Sequence, residues 1–373
     1  MKTIASGVLM AGEAGTARAC HTFPSVVELA SGKLIVTARH GSGKDGDDDA
    51  ITVRAGHGDG KGWVAHPGLP ASPDLNGRKG TLKLAYLTAL RPGVIIAAAM
   101  WVDRTSFPGQ PLFNAETEGC LTMAILLSRS DDDGLSWSDW WHVALPEDIG
   151  PPSLTAPLVL LADGRLAMSI ETNKTYLDAG TWDQKAVLLF SDDEGQSWSA
   201  PVVSAHDPSN RIFNWDLRIA AAPDGRLVSF AWTFDREAGE YRNIHRRVSA
   251  DAGRSWTAPE DIGFADQAAR PAILADGRVV LAYVDRFGTR SIRARLADSV
   301  EAPFRAESEV VLYTQEQAAS AENGASLGEA LADMEMWSFG LPSAAALRNG
   351  QVLVVYYGGK SGCMDIGWAL IAP

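Results

Sequence analysis

Cysteine is scarce, with Cys20, Cys120 and Cys363 the only three in 373 residues. An odd and widely spaced set offers neither a disulfide framework nor metal-ligand spacing. The seven histidines are equally scattered, with no pair at helical ligand spacing, so no metal and no cofactor is expected. No apolar run approaches the ~18 residues of a membrane-spanning helix, so no membrane partner is expected. Basic residues are outnumbered, 33 Lys plus Arg against 46 Asp plus Glu. A net charge of −13 repels phosphate backbones and argues against nucleic acid as a partner. The opening MKTIASGVLMAGEAG has one lysine and a weak apolar stretch before Glu13. It reads as a strand rather than a secretory signal, and the expected location is cytoplasmic. With 46% apolar and 21% charged residues, disorder over most of the chain is excluded. Tryptophan, by contrast, is plentiful at twelve, and its placement carries information.

A short box, Ser-x-Asp-x-Gly-x-x-Trp, occurs three times intact: Ser130–Asp132–Gly134–Trp137, Ser191–Asp193–Gly195–Trp198 and Ser249–Asp251–Gly253–Trp256. A worn copy runs from Gly56 to Trp63. The spacing suits a tight turn. An Asp accepts backbone N–H bonds, a Gly takes positive φ, and a Trp covers the turn. A longer repeat spans the chain: apolar strand, Gly-containing turn, apolar strand. Its turn glycines are Gly32, Gly93, Gly164, Gly225, Gly277 and Gly350, about 64 residues apart. Asp-Gly and Asn-Gly between β-rich runs signal hairpins. Each unit therefore holds two hairpins, or four antiparallel strands.

Six such units predict an all-β chain, a six-bladed β-propeller forming one domain over residues 1–373. The last unit shows only three strands, the third being residues 363–371. The unpartnered N-terminal segment 3–11 is expected to supply its fourth strand and close the ring. One stretch, 325–337, has helical spacing and good helix formers.

Both turn types follow odd-numbered strands, so both lie on one face of the disc. That face is expected to have no room for a site, because its turns are short. The opposite face gathers the polar residues. These include His21, Arg39, His40 and an acidic loop with Asp45, followed by Trp101, Asp103 and Arg104 and a long loop to Cys120 that suits a lid. Glu171, Trp215, Asp216, Arg218, Trp232, Arg236, Arg270, Arg286, Trp337, Tyr356 and Tyr357 complete it.

At these residues the chain resembles the sialidase (neuraminidase) superfamily. The three boxes look like its Asp-box, or BNR repeat, and His21-Thr22-Phe23-Pro24, Arg39 and Asp45 occupy its motifs in the first blade. The resemblance implies Asp45 as proton donor and Arg39 as a substrate-binding residue. The chain also departs from the pattern. Thr22 stands where one carboxylate-clamping Arg belongs, Leu341 where the nucleophilic Tyr belongs, and Asp216 where its activating Glu belongs. The other clamp arginines have counterparts in Arg236 or Arg242 and in Arg286 or Arg290.

A glycoside hydrolase of altered specificity, acting on a polar or acidic glycan, follows from these residues. Asp45 is the expected acid, and Asp216 or else Asp103 the base or nucleophile. Arg39, Arg236, Arg270, Arg286, His21, His40 and Tyr357 are expected to bind substrate, with Trp215 or Trp232 stacked on a sugar face. Two alternatives stay open: a polysaccharide lyase on the same scaffold, and a non-catalytic glycan-binding propeller. The expected state is a monomer or small homo-oligomer.

Overall fold

The six turn glycines fold with nearly one geometry. In five units the residue before the turn donates to a carbonyl four residues on, as Leu29 does to Lys33 at 2.8 Å, and the glycine N–H closes the loop, as Gly32 does to Leu29 at 2.9 Å. The same pair of bonds recurs at Gly164, Gly225, Gly277 and Gly350. All six glycines have φ between 81° and 88°, a region only glycine enters without cost. In this computed structural model, which describes residues 1–58, 62–264, 266–315 and 326–373, the chain is all-β apart from one helix and one 3-10 turn among those residues.

The strands form five sheets. Four are single antiparallel units, beginning at Gly80, Ser153, Ile212 and Gln267. The fifth has eight strands and consists of two units joined by a single parallel bridge, Cys20 to Met364. One of these units runs from Cys20–Glu28 to Val64–Ala65. The other contains Gly340–Ala346, Val352–Lys360 and Cys363–Ala372, and its fourth strand is the N-terminal Lys2–Met10, antiparallel to Cys363–Ala372. Six antiparallel units therefore account for the sheets.

The intact boxes are superposable turns. Ser249 Oγ accepts from Gly253 N at 2.8 Å and donates to Asp251 at 2.8 Å, while Asp251 accepts from Ser255 N at 2.8 Å and Ser255 Oγ at 2.6 Å. The turns at Ser130 and Ser191 repeat these four distances. Each turn also packs on the preceding unit. A Cβ on Gly195 would lie 2.8 Å from Leu127, and one on Gly134 would lie 3.3 Å from Ile35. The boxes thus join successive sheets through apolar contact. In the worn copy, residues 59–61 lie outside the described residues.

The first strand of every unit is bulged or broken. Register shifts fall between Thr22 and Ser25, Leu82 and Leu84, Trp215 and Arg218, and Gly340 and Ser343. In the third and fifth units the strand splits, into Ser153–Leu154 and Val159–Leu160, and into Gln267–Ala268 and Ala272–Ile273. A bulge re-aims the side chain it carries. Three of these residues, Phe23, Asp216 and Leu341, hold φ of 51°, 48° and 43°, a strained region for residues other than glycine.

Two cavities border these first strands. One, of about 160 Å³, lies beside the bulges. The other, of about 390 Å³, is lined by first-strand residues of all six units at their turn-proximal ends. The expectation that this end has no room is corrected. Its turns are short, but alanines such as Ala89, Ala221 and Ala346 line it and leave space.

Candidate functional site

Bulge residues from four units meet at the smaller cavity: Phe23, Lys83, Asp216 and Leu341. The helix Leu327–Met336 covers one side with Leu331 and Met334. Its start is fixed by a capping box between Ser326 and Glu329. The expected lid loop covers another side with Leu112 and Phe113. Helix and loop pack backbone to backbone, since a Cβ on Gly328 would stand 2.1 Å from the Ala115 carbonyl oxygen. Lys44 ties the acidic loop to the helix end by donating to the carbonyls of Met334 and, at 2.7 Å, Trp337.

One wall is an ion network. Asp45 accepts from Lys83 Nζ at 2.6 Å, from Arg104, and from Leu112 N at 3.1 Å. Behind it Asp49 pairs with Arg39 and lies 3.6 Å from Arg104 and 3.9 Å from Lys83. Burial alone would raise the Asp45 pKa, but the Lys83 and Arg104 cations override it and hold the carboxyl far below its usual range. Asp45 is therefore an anion at any physiological pH. It is equipped to bear charge, neither to donate nor to accept a proton.

The same cavity is lined by a second carboxyl pair, Glu171 and Asp216. Glu171, with 6% exposure, accepts from Leu217 N at 3.2 Å. Burial first, and then the Asp216 charge, push its pKa up to about 8. Glu171 therefore carries its proton at neutral pH. Asp216 accepts from Gln267 Nε2 at 2.5 Å and pairs with Arg218 at 3.2 Å. Arg218 is buried and also donates to the Thr155 carbonyl and to Tyr86 at 3.4 Å.

The remaining wall is aromatic. Trp182, Trp215, Trp232 and Trp337 line the cavity and pack into one cluster with Phe213 and Phe234. The indole N–H groups of Trp232 and Trp337 are buried without a partner among the described residues. Arg286 stacks over Trp337 at 3.9 Å and donates to Gln267 at 3.1 Å. Its carboxylate neighbour Asp266 lies 3.5 Å away, with a pKa raised by burial to about 6 against the pull of Arg286. Gly340 makes room for this arrangement, since a Cβ there would stand 2.9 Å from the Arg286 guanidinium and 3.1 Å from the Tyr357 hydroxyl.

A family model described as a BNR repeat-like domain matches residues 112–354, well over half of the chain. The chain belongs to the BNR-repeat family of the sialidase superfamily. Three solved structures show how far this BNR-repeat fold is shared. A Dyadobacter fermentans protein of unknown function is 21% identical, with 99% of this chain and 98% of that one covered and a TM-score of 0.75. A Hadza microbial sialidase is 17% identical over 98% of this chain and 68% of that one, with a TM-score of 0.67. The intramolecular trans-sialidase of Ruminococcus gnavus, solved with oseltamivir carboxylate, is 13% identical over 100% and 98%, with a TM-score of 0.63. At these identities the likeness is one of fold. No curated relative matches.

Of the site residues expected from sequence, this BNR-repeat chain brings Asp45, Asp216, Trp215, Trp232, Arg286 and Tyr357 to the cavity. It holds six others away. Asp103 caps the start of the lid loop, accepting from Thr105 N at 2.7 Å and Ser106 Oγ at 2.6 Å. Arg39 is buried behind Asp49 and donates to Thr22 at 3.2 Å. His21 and His40 pack together, with ring centroids 5.9 Å apart. Burial, then His40, lowers the His21 pKa to about 4, so it is neutral. Arg236 grips Glu118 with two 3.0 Å bonds. Arg270 faces the larger cavity, because the break in its strand upsets the alternation that put it on the other face. Tyr356, expected on the same face but given no role, turns away too and donates to the Leu312 carbonyl at 3.2 Å.

Sequence reasoning missed Lys83, Tyr86, Trp182 and Gln267, and gave Glu171 no role. Lys83 alone left a signal, as the one charged residue inside the apolar run Leu82 to Leu90.

Proposed function

We propose that this chain is a glycoside hydrolase acting on a terminal sugar of a polar or acidic glycan, built as a six-bladed propeller closed by its N-terminal strand. The observation that carries the reading is a protonated carboxyl and a second carboxylate, Glu171 and Asp216, on one wall of a tryptophan-rich cavity. Glycoside hydrolysis needs an acid for the leaving oxygen and a second carboxylate to attack the anomeric carbon or activate water. In this reading Glu171 is the acid, in place of the expected Asp45, and Asp216 is the base or nucleophile. Trp215 and Trp232 form the sugar platform, and a carboxylate on the ring would meet Arg286. Tyr357 stays a phenol, because burial raises its pKa. Lining of the larger cavity by all six first strands supports the ring.

The test is Glu171→Gln against two aryl glycosides of the preferred sugar. Loss on a poor leaving group, with activity kept on dinitrophenolate, is the expected result. Equal loss on both removes Glu171 as the acid. One observation favours a second reading, a glycan-binding module: Asp45 is neutralised within the fold by Lys83 and Arg104. Binding without turnover across a glycan panel would support it.

A further inference from the structure

The larger cavity, of about 390 Å³, has a wall of mostly small and aliphatic side chains, with Arg270 among them. Arg270 sits in the gap between Gln267–Ala268 and Ala272–Ile273, bridged through its backbone to Ser343. Its Nε is buried with no hydrogen-bond partner, and among the described residues it makes no ion pair. Burial pulls its pKa down, with no neighbouring charge to oppose it. The other charged residues of the wall, Glu28 and Arg348, hydrogen-bond to backbone groups. The Arg348 backbone N–H donates to Glu28 at 2.8 Å, and its guanidinium donates to the Ala30 carbonyl. The buried Arg39, Arg218 and Arg286 behave differently, for each has its own aspartate.

Arg270 is partly exposed to the cavity, with its Nε buried and no counter-charge, and it keeps a planar fork of donors for any acceptor within reach. We propose that the larger cavity is a binding site for a small, singly charged anion held by Arg270. Arg270 and Arg348 against Glu28 leave the wall with one formal positive charge, which sets the charge of the ligand. A multivalent anion would leave excess negative charge against alanines. The cavity exceeds chloride, nitrate or acetate several-fold in volume and admits each of them with water around it, so charge rather than size selects the ligand. The site lies at the turn-proximal end of the first strands, so it is separate from the glycan reading and does not depend on it.

Thermal unfolding tests the proposal. Wild type and Arg270→Met are melted in sulfate buffer, with sulfate replaced stepwise by chloride, nitrate or acetate at constant ionic strength. Relative to the variant, wild type is expected to gain a saturable rise in Tm, as binding to the folded state alone requires. Arg270→Met is expected to show no saturable component, and to be at least as stable as wild type in sulfate, because an unpaired charge has been removed. Chloride NMR line width gives a reading that needs no stable variant. Wild type should broaden the line and nitrate should reverse the broadening. A Tm response equal in both proteins, or a chloride line that wild type leaves sharp, overturns the proposal.

Discussion

Removing Lys83 is the most informative perturbation of the ion network. Its ammonium is almost fully buried, donates to Asp45 at 2.6 Å and the Lys44 carbonyl at 3.0 Å, and lies 3.9 Å from Asp49. Among the buried members, Arg39, Lys83 and Arg104 face Asp45 and Asp49, an excess of one positive charge that Lys83→Met removes; Asp47, 3.9 Å from Arg104, is exposed. Breaking a buried pair from one side costs roughly 3–5 kcal/mol. Arg104 and the Leu112 N–H stay on Asp45, which places this loss near about 3 kcal/mol. The assay is urea unfolding at neutral pH, with the double variant Lys83→Met/Asp45→Asn alongside. The double variant should recover much of the loss, since it no longer buries an under-paired carboxylate. Acid sharpens the test. The folded pKa of Asp45 is depressed, so its stabilisation is complete above the unfolded value of about 3.9 and disappears as pH falls toward the folded one. Wild type should lose stability steeply below about pH 4, and Lys83→Met less steeply. A single variant within about 1 kcal/mol of wild type, or a double variant no better than the single, would refute the reasoning.

Glu171 makes an opposite pH prediction. Its folded pKa is raised, so its contribution is complete below about 4.3 and is lost as pH rises through about 8. Glu171→Gln should flatten the wild-type decline in urea midpoint between those values. Ser249→Ala leaves the Gly253 N–H without its acceptor inside a buried turn and should cost about 1–3 kcal/mol by the same assay. Gly340→Ala forces a methyl against Arg286 and Tyr357 at φ +149°. It should lower stability by at least about 1 kcal/mol and alter the tryptophan fluorescence of the Arg286–Trp337 stack.

The parts legible in the sequence were set by neighbours along the chain. The Ser-x-Asp-x-Gly-x-x-Trp turns close on themselves through Ser and Asp oxygens, so their geometry follows from eight residues. The N-terminal strand was legible because the last unit lacked a partner, which Lys2–Met10 provides. What escaped was set by bulges and by contacts between units. Strict alternation cannot place Lys83, since the shift between Leu82 and Leu84 turns it toward the cavity. Arg39 looked like a substrate ligand until the acidic loop folded back and set Asp49 against it. Glu171 and Asp216 lie 45 residues apart on different sheets, and neither sequence context announces the proton they leave on Glu171.

Release of a terminal monosaccharide from a glycan panel, measured for wild type beside Asp216→Asn, tests the glycosidase reading most directly. Wild type should liberate sugar from at least one glycan, and Asp216→Asn should do so at least about a hundredfold more slowly while still binding it. Binding of the same glycan by both proteins, with no sugar released by either, would contradict it.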